Sequence, residues 1–488
     1  MKDPICTSAG IRPDAIALDD GSRVWTYTQL DVAVAEVARR LTALGSVAGT
    51  MVALIAHPNA LAIQTLFAIP RTGAVMVILN PKLGSVAMRR ALDMVNPDLV
   101  LSTEADICDL ALDYSWSIAL DDLPGLQLGR KSVEGKSGSV SDPRSRFSDN
   151  KDCLPQIDMS NDFAFLWTSG TSSTPRVVPV TMSALNESAL AVSTRMDLRS
   201  DDSWYASLSL GHIGGLALVH RALYLGSCLV VRGSYSVDRL AQLIDDQKIT
   251  HASLVPVMLG QLMDVHRNLT GPSSLRCLLI GGATVSRSLM ETAMESGYPV
   301  AFTYGMTETC SQVAVAPPDL VAKKPGTVGF PLDGVELRIE ENGEIFVRGP
   351  TVARSFGDEE GWFATGDLGS FDKEGHLWIT GRMDDRIISG GTNVDFQLVE
   401  DVIRDFPGIS DVAIVGVPDH IWGDVVGALV VPGSETLDLQ ALKLNLRERI
   451  SSSEIPRLFA VTEEIPRNTN GKLDKIETRA RLIEFGSG

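Results

Sequence analysis

The chain has 488 residues, of which 44% are hydrophobic and 21% charged, a composition typical of globular proteins. This length exceeds what one compact core supports, so we expect at least two domains. The formal net charge of −18 argues against nucleic acid or an anionic membrane as a partner, because both require a basic surface. Any bound polyphosphate must therefore meet a local cluster of donors.

The cysteines and the apolar runs indicate a compartment. Six cysteines are scattered along the chain without a CxxC pair or a zinc-ligand spacing, which favours reduced thiols. The first residues lack the apolar segment of a signal peptide, and no apolar run reaches about 18 residues. We therefore expect a cytoplasmic protein without stable membrane insertion.

Strands and helices alternate in the first part of the chain. Residues 51–81 have the pattern of strand, helix and strand, with Gly73 ending the helix, and the alternation returns between residues 226 and 257. The strand-like run 275–282 ends in Gly281 and Gly282, where a ligand can approach the backbone. This alternation predicts parallel sheets with right-handed crossovers.

The composition and the pattern of predicted elements change further along the chain. Residues 129–152 are polar and rich in Ser and Gly, which indicates a surface connection without chemistry. After about residue 326 short strands and turns dominate, including a hairpin predicted over 335–349. Residues 398–419 have the pattern of a helix followed by a strand. We predict an α/β fold: a large body of parallel and mixed sheets with packed helices, a β-rich subdomain and a small C-terminal α+β domain.

The loop after the apolar run 163–167 carries residue types suited to phosphate. Its hydroxyl groups and backbone N–H groups, with the guanidinium fork of Arg176, can surround the phosphates of a nucleotide. An ordinary Ser/Thr-rich turn explains the loop equally well when it is considered alone. The candidate phosphate-binding residues are Thr168, Ser169, Gly170, Thr171, Ser172 and Arg176.

A second motif, YGMTETC at 304–310, follows a strand-like run over 300–303. Tyr304 is suited to stack on a base, and Thr307 to donate a hydrogen bond to a phosphate. Glu308 is suited to hold Mg²⁺. The motif thus supplies, within a few residues, three contacts that a nucleotide needs.

Three weaker signals follow in the chain. Asp367, which we place in a tight turn, is suited to accept hydrogen bonds from ribose hydroxyls. Arg382 precedes an acidic pair and a Gly-Gly turn, and Lys472 lies in a loop near the C-terminus. Each has a commoner explanation alone, namely a turn-capping Asp or a solvated cation.

Together, the five motifs resemble in order and interval those of the adenylate-forming superfamily, which contains acyl-CoA synthetases, nonribosomal adenylation domains and luciferases. The resemblance extends from about residue 10 to about residue 480. It implies an enzyme that activates a carboxylic acid as an acyl-adenylate with ATP and Mg²⁺ and then transfers the acyl group to coenzyme A. It also implies an adenylation core at 1–381, a hinge at 382–385 and a mobile domain at 386–488.

The resemblance assigns roles residue by residue. Lys472 matches the catalytic lysine, with Thr307, Arg176 and His212 as further candidates for the catalytic set. The implied nucleotide site comprises the phosphate loop together with Gly281, Gly282, Ala283, Tyr304, Gly305, Thr307, Asp367 and Arg382. The implied remaining roles are the Mg²⁺ ligand Glu308, the hinge residue Asp384, and Gly390 and Gly391 beside the CoA tunnel.

The phosphate loop departs from the family pattern. Ser173 and Val177 stand where the family has glycines, and Arg176 where it has lysine. Fewer glycines narrow the accessible backbone conformations, and a planar guanidinium differs from a flexible ammonium. We expect altered pyrophosphate handling rather than loss of the reaction.

Residues 211–227 bear on the identity of the acid. His212, Gly214 and Gly215 precede a helix predicted over 216–224, and the small residues at its start are expected to leave room for a bulky acyl group. Arg221 lies in this otherwise apolar helix. It is either a surface residue whose stem snorkels to solvent or a buried cation that pairs a second carboxylate of the substrate.

The pattern HxGGLxLxxR, followed by YGMTETCSQ, is similar to o-succinylbenzoate–CoA ligases of menaquinone biosynthesis. In that family a basic residue nine positions after the His meets a substrate carboxylate, and Arg221 has that spacing. The resemblance thus implies an acid site formed by His212, Gly214, Gly215, Arg221 and Gly305.

Three other functions stay open. The chain resembles, less closely, acyl-CoA synthetases for oxalate, aryl or short dicarboxylic acids. A stand-alone adenylation enzyme that loads a carrier-protein thiol and a non-catalytic acyl-nucleotide-binding protein are the others. The expected partners are the carboxylic acid, ATP and CoA, with no nucleic acid, and a homo-oligomer is an open possibility.

Overall fold

The structure is a computed structural model. It describes residues 3–103, 105–106, 117–119, 162–168, 176–266, 268–269, 273–383, 386–389, 392–419, 423–433, 437–451, 454–468 and 472–485. The described strands form four sheets, which we name A to D. The predicted surface connection at 129–152 lies outside the described residues.

Sheet B is mostly parallel and has the strand order β6-β5-β3-β4-β7-β8, with β8 antiparallel to β7. Its strands are β3 (Met51–Ile55), β4 (Val75–Leu79), β5 (Leu99–Ser102), β6 (Ser117–Ala119), β7 (Asp162–Thr168) and β8 (Arg176–Thr181). Because β3, β4, β5 and β7 are parallel, their carboxyl ends lie at one edge. Thr168, the first residue of the predicted phosphate loop, ends β7 and so lies at that edge.

Sheet A has the order β15-β14-β13-β12-β11-β9-β10-β1-β2 and is parallel from β13 to β1. Its strands are β1 (Ile16–Asp19), β2 (Val24–Thr26), β9 (Ser203–Tyr205), β10 (Cys228–Val230), β11 (His251–Leu254), β12 (Cys277–Ile280), β13 (Val300–Met306), β14 (Ser311–Ala316) and β15 (Phe330–Pro331). The predicted strand at 300–303 thus continues through Tyr304 and Gly305 to Met306.

Sheets C and D belong to the later part of the chain. Sheet C contains β16 (Glu336–Ile339), β17 (Glu344–Arg348), β18 (Phe363–Phe371) and β19 (Leu377–Arg382). Sheet D contains β20 (Arg386–Ser389), β21 (Thr392–Asp395), β22 (Ile409–Asp419), β23 (Gly423–Pro432) and β24 (Leu458–Val461). The antiparallel pair β16–β17 is the predicted hairpin, and Gly343 adopts φ +86° in its turn, a conformation that favours glycine.

α-Helices accompany the four sheets in the described part of the chain. They are α1 (Pro4–Ile11), α2 (Tyr27–Ala43), α3 (Ala60–Arg71), α4 (Ser85–Val95), α5 (Met182–Met196), α6 (Ile213–Tyr224), α7 (Val237–Asp245), α8 (Pro256–Val265), α9 (Arg287–Glu295), α10 (Pro318–Lys323), α11 (Phe396–Arg404), α12 (Leu439–Arg449) and α13 (Lys475–Phe485). α2 begins at a capping box in which Thr26 and Gln29 bond each other's backbone N–H groups. Helix α6 begins at Ile213, three residues before the predicted start.

The largest apolar core joins sheets A and B. Residues of α3 and α6 pack in it between β3 and β4 on one side and β9 and β10 on the other. Separate cores lie beneath α7 and α8 and within sheet D. The predicted fold class is confirmed: a large body of parallel and mixed sheets with packed helices, and a smaller α+β unit at the C-terminus. Among the described helices, none is long and apolar enough to cross a membrane.

Candidate active site

Two predicted nucleotide segments lie side by side at the carboxyl edge of sheet A. Gly281 and Gly282 directly follow β12, whose partner β13 carries Tyr304. A Cβ at Gly281 would lie 2.7 Å from Cγ2 of Thr303, and Gly282 has φ +83°. Both positions therefore require glycine, and their backbone borders the segment that contains Tyr304.

Tyr304, Asp367 and Arg382 form a connected polar group. The hydroxyl of Tyr304 donates a hydrogen bond of 2.9 Å to Oδ2 of Asp367, and Nε of Arg382 lies 3.2 Å from Oδ1. Burial raises the pKa of Tyr304 well above its usual value, and the Asp367 carboxylate raises it further. Tyr304 thus stays a hydrogen-bond donor at neutral pH.

The position of Asp367 corrects one prediction. Asp367 does not lie in a tight turn: it is part of the long strand β18, where it pairs in register with Arg382 of β19. Gly366, the residue before it, has φ +72°, and a glycine at this position is what suggested a turn. Pairing with the next strand, β19, keeps this segment in the sheet.

Thr307 and Glu308 lie in a single 3₁₀ turn between β13 and β14. The turn is fixed by Thr309, whose Oγ1 accepts from the N–H of Met306 at 3.1 Å, and by the carbonyl of Glu308, which accepts from the N–H of Ala353 at 2.8 Å. The Glu308 side chain is half-buried. The turn thus holds both side chains on an ordered backbone at the end of β13.

Lys472 reaches the same group from the C-terminal unit. Its N–H donates to Oδ1 of Asn468 at 3.1 Å, and its carbonyl accepts from the N–H of Asn468 at 2.7 Å, which closes the loop. Burial lowers the pKa of Lys472, Arg382 lowers it further, and the carboxylates of Asp367 and Glu308 act in the opposite direction. The ammonium group therefore lies within electrostatic range of these three side chains, and Lys472 is exposed to solvent.

The chemistry of Glu308 fits Mg²⁺. Mg²⁺ is commonly held by one or two carboxylates, with water and substrate phosphates completing its shell. Glu308 offers such a carboxylate within electrostatic reach of Lys472, the predicted phosphate-binding cation. Its assignment as the Mg²⁺ ligand stays a prediction.

Several predicted residues lie outside the described residues. They are Ser169, Gly170, Thr171, Ser172, Asp384, Gly390 and Gly391. Thr168 and Arg176 are paired in register at the ends of β7 and β8, so the phosphate loop connects the two strands of a hairpin.

His212 lies where the two large sheets approach. It is the residue before α6, and its Nε2 lies 3.0 Å from Nδ2 of Asn80, which follows β4 of sheet B. Oδ1 of Asn80 accepts from the N–H of Lys82 at 3.0 Å, which assigns Nδ2 as the donor to His212. Asn80 was not among the predicted residues. A polar residue directly after a buried parallel strand was the available signal.

Gly214 and Gly215, in the first turn of α6, lie close to the preceding loop, and whether they leave room for an acyl group stays a prediction. A Cβ at Gly215 would overlap the carbonyl oxygen of Ser209, and one at Gly214 would lie 3.1 Å from Cδ1 of Leu208. The backbone of the preceding loop thus lies directly against Gly215, whereas only the end of the Leu208 side chain borders Gly214. A Cβ at Gly305 would likewise overlap the carbonyl oxygen of Ser311.

Arg221 is buried, so the snorkelling alternative is wrong. It is 1% exposed, its Nη1 donates to Oε1 of Gln312 at 3.2 Å, and its Cζ lies 4.9 Å from the ring centre of Trp204. Burial lowers its pKa to about 10. Within the described part of the chain it has no carboxylate partner, and its Nε has no hydrogen-bond partner.

Comparison with known proteins identifies the family. The profile of the AMP-binding enzyme family matches residues 7–356, and that of the AMP-binding enzyme C-terminal domain matches residues 398–472. A 2-succinylbenzoate–CoA ligase of Bacillus thuringiensis subsp. konkukian is 31% identical, covering 98% of this chain and 97% of its own.

Solved structures agree with this match. The o-succinylbenzoate CoA synthetase (MenE) of Bacillus subtilis, in complex with the acyl-adenylate intermediate OSB-AMP, is 27% identical with a TM-score of 0.85, covering 98% of both chains. A double mutant of that enzyme, bound to the product analogue OSB-NCoA, is 27% identical with a TM-score of 0.71 and covers 100% of both chains. The chain belongs to the AMP-binding enzyme family.

Proposed function

We propose that the protein is an ATP-dependent, AMP-forming acid–CoA ligase that converts o-succinylbenzoate to o-succinylbenzoyl-CoA in menaquinone biosynthesis. The observation that carries the choice of acid is Arg221, a buried cation without a carboxylate partner in the described residues. The full-length similarity to ligases of that name supports the reaction.

In the first half-reaction, an oxygen of the substrate carboxylate forms a bond to the α-phosphorus of ATP, and the bond to pyrophosphate breaks. Negative charge gathers on the phosphate oxygens, so fixed donors and cations supply most of the rate enhancement. Lys472 and Thr307, with Arg176 of the phosphate loop, are the proposed set. Mg²⁺ held by Glu308 would add a positive charge that offsets the charge on the phosphates.

The nucleoside half of ATP fits the group around Asp367. Its carboxylate is held by Tyr304 and Arg382, and remaining lone pairs can accept from the ribose hydroxyls. The backbone of Gly281, Gly282 and Ala283 is the proposed surface for adenine. These contacts orient ATP without taking part in bond making.

The location of Lys472 supports an arrangement competent for adenylate formation. Lys472 lies within electrostatic range of Glu308 and Asp367. At the same identity of 27%, the TM-score is 0.85 against the acyl-adenylate complex and 0.71 against the complex with the CoA product analogue. The protein is thus more similar to the former.

In the second half-reaction, the thiol of CoA forms a bond to the acyl carbonyl carbon, and AMP leaves. Lys472 no longer has a role there, so we propose that the C-terminal domain, 386–488, turns about the hinge at 382–385 and carries Gly390 and Gly391 to the CoA tunnel. The two family profiles, at 7–356 and 398–472, lie on either side of this hinge, which supports the proposed division.

A cytoplasmic location is part of the proposal. Among the described cysteines, Cys228, Cys277 and Cys310 are free thiols, as expected in a reducing compartment.

The test is acid-dependent release of pyrophosphate with a panel of acids. We expect o-succinylbenzoate to give the highest kcat/KM, and CoA rather than a carrier protein to accept the acyl group. Release with oxalate or a simple aryl acid but not with o-succinylbenzoate would overturn the choice of acid. No release with any acid would favour the non-catalytic binding protein.

A further inference from the structure

Gln312 is the hydrogen-bond partner of Arg221. It is 6% exposed, lies on β14 opposite Gly305 of β13, and accepts from Nη1 of Arg221 with Oε1 at 3.2 Å. A Cβ at Gly305 would lie 2.8 Å from Cα of Gln312, so the missing side chain at Gly305 permits this close pairing. The amide therefore meets the guanidinium from a backbone position that the sheet fixes.

Trp204 and His251 define the other boundary of Arg221. The indole of Trp204 faces the guanidinium, and the ring of His251 stacks on Trp204 with centroids 4.5 Å apart and an angle of 20° between planes. All of these side chains are buried. Stacking restricts the position of the guanidinium, and the bond to Gln312 restricts its rotation.

This arrangement leaves one side of Arg221 without partners. Nη1 is engaged by Gln312, whereas the Nε–Nη2 edge makes no hydrogen bond to any described residue. That edge is one of the two that bind a carboxylate through parallel N–H bonds. The unengaged edge thus has the donors that a second carboxylate of the acid requires.

We infer that Gln312 is a positioning residue that sets the preference for diacids: it orients Arg221 so that the Nε–Nη2 edge receives the carboxylate that is not adenylated. This rests on the proposed function. Gln312 acts through Arg221 and does not touch the reacting atoms.

The experiment compares two acids in a pyrophosphate-release assay. One is o-succinylbenzoate, and the other is β-benzoylpropionate, the same acid without the ring carboxylate. Gln312→Met keeps the side-chain length and removes the acceptor. We expect it to raise the KM for o-succinylbenzoate about fivefold to tenfold, with the KM for β-benzoylpropionate and for ATP unchanged. Gln242→Met, at an exposed position of α7, is the matched control.

Gln312→Glu distinguishes positioning from packing. A carboxylate at this position would pair with Arg221 and repel the substrate carboxylate, so the KM for o-succinylbenzoate should rise more than in Gln312→Met. The KM for β-benzoylpropionate should not rise.

A double-mutant cycle with Arg221→Leu completes the test. If Gln312 acts through Arg221, Gln312→Met should change no KM in the Arg221→Leu background. If Gln312→Met raised the KM for o-succinylbenzoate and for β-benzoylpropionate equally, Gln312 would have only a structural role, and the inference would be overturned. If the wild type uses o-succinylbenzoate and Gln312→Met leaves the KM for this acid unchanged, the inference would be overturned while the proposed function would stand. A wild-type enzyme that rejects every diacid would overturn the proposed function as well.

Discussion

Asp367 and Arg382 face each other across the antiparallel strands β18 and β19, with Nε of Arg382 3.2 Å from Oδ1 of Asp367. The other oxygen of Asp367 accepts from the hydroxyl of Tyr304. Side chains of two other strands, β13 and β19, thus hold the carboxylate of Asp367 in place. Because its orientation is fixed before ATP binds, little conformational entropy is lost when it accepts from a ribose.

Asp367→Ala should weaken ATP binding more than acid binding. Loss of a charged acceptor costs about 1.5–3 kcal/mol, which corresponds to a tenfold or larger increase in the Kd for ATP. Calorimetric titration with ATP, and separately with the acid, measures both. An unchanged Kd for ATP in a folded variant would refute the assignment of Asp367 to the ribose.

Lys472→Ala should nearly abolish formation of the acyl-adenylate and spare thioester formation from a supplied acyl-adenylate. The reason is that Lys472 lies within electrostatic range of Glu308 and Asp367, where the phosphates of ATP are proposed to bind, and is proposed to have no role when CoA attacks. Pyrophosphate release and CoA consumption measure the two steps. Lys248→Ala, at an exposed lysine after α7, is the control. Equal loss in both half-reactions would contradict the alternating arrangement.

The sequence predicted those features that depend on local pattern. The alternation of strands and helices predicted sheets A and B, and Gly343 marked the hairpin of β16 and β17. Asp367 was placed in a turn because Gly366 beside it is a residue typical of turns. The structure instead keeps Asp367 in β18, which pairs with β19. Strand boundaries of this kind depend on tertiary contacts.

The contacts that arrange the candidate site could not be predicted from the sequence, because the residues that make them are far apart in the chain. Asn80 and His212 are separated by 132 positions, and Arg221 and Gln312 by 91. Nothing local at either position reveals its partner. Whether Arg221 extends to solvent or is buried likewise depends on which elements cover α6, because an Arg side chain is found in both environments.

The free energy of unfolding should fall as the pH is lowered from about 7.5 to about 5.5, and His220 should account for part of this loss. Burial, together with the charge of the adjacent Arg221, lowers the pKa of His220 to about 3 from its ordinary 6.5. As the pH falls below about 6.5, the unfolded chain takes up a proton that the folded protein excludes, so folding is disfavoured. This contributes about 1.4 kcal/mol over that range.

Denaturant unfolding at the two pH values measures this contribution. His220→Gln retains a donor for Oδ1 of Asn186, which Nε2 of His220 contacts at 2.8 Å, and cannot titrate. The variant should therefore lose about 1.4 kcal/mol less on acidification than the wild type. Identical losses in the two proteins would show that His220 is not excluded from protonation.

Arg221→Leu should raise the KM for o-succinylbenzoate about tenfold or more, because truncating one side of a buried charge pair costs about 2–5 kcal/mol. Burial of an uncompensated guanidinium is costly in the free enzyme, and a substrate carboxylate left over after adenylation would compensate it. The KM for ATP should change little, since Arg221 belongs to α6 and contacts Trp204 and Gln312 rather than the group around Asp367.

The same variant should also relax discrimination between acids. Without a cation, the site no longer favours a second carboxylate, so the ratio of kcat/KM for o-succinylbenzoate to that for β-benzoylpropionate should fall by at least about tenfold. Parallel assays on the two acids give this ratio directly. If Arg221→Leu used the diacid as well as the wild type does, the role of Arg221 would be confined to packing against Trp204. The protein would then be an acid–CoA ligase whose acid is recognised by other residues.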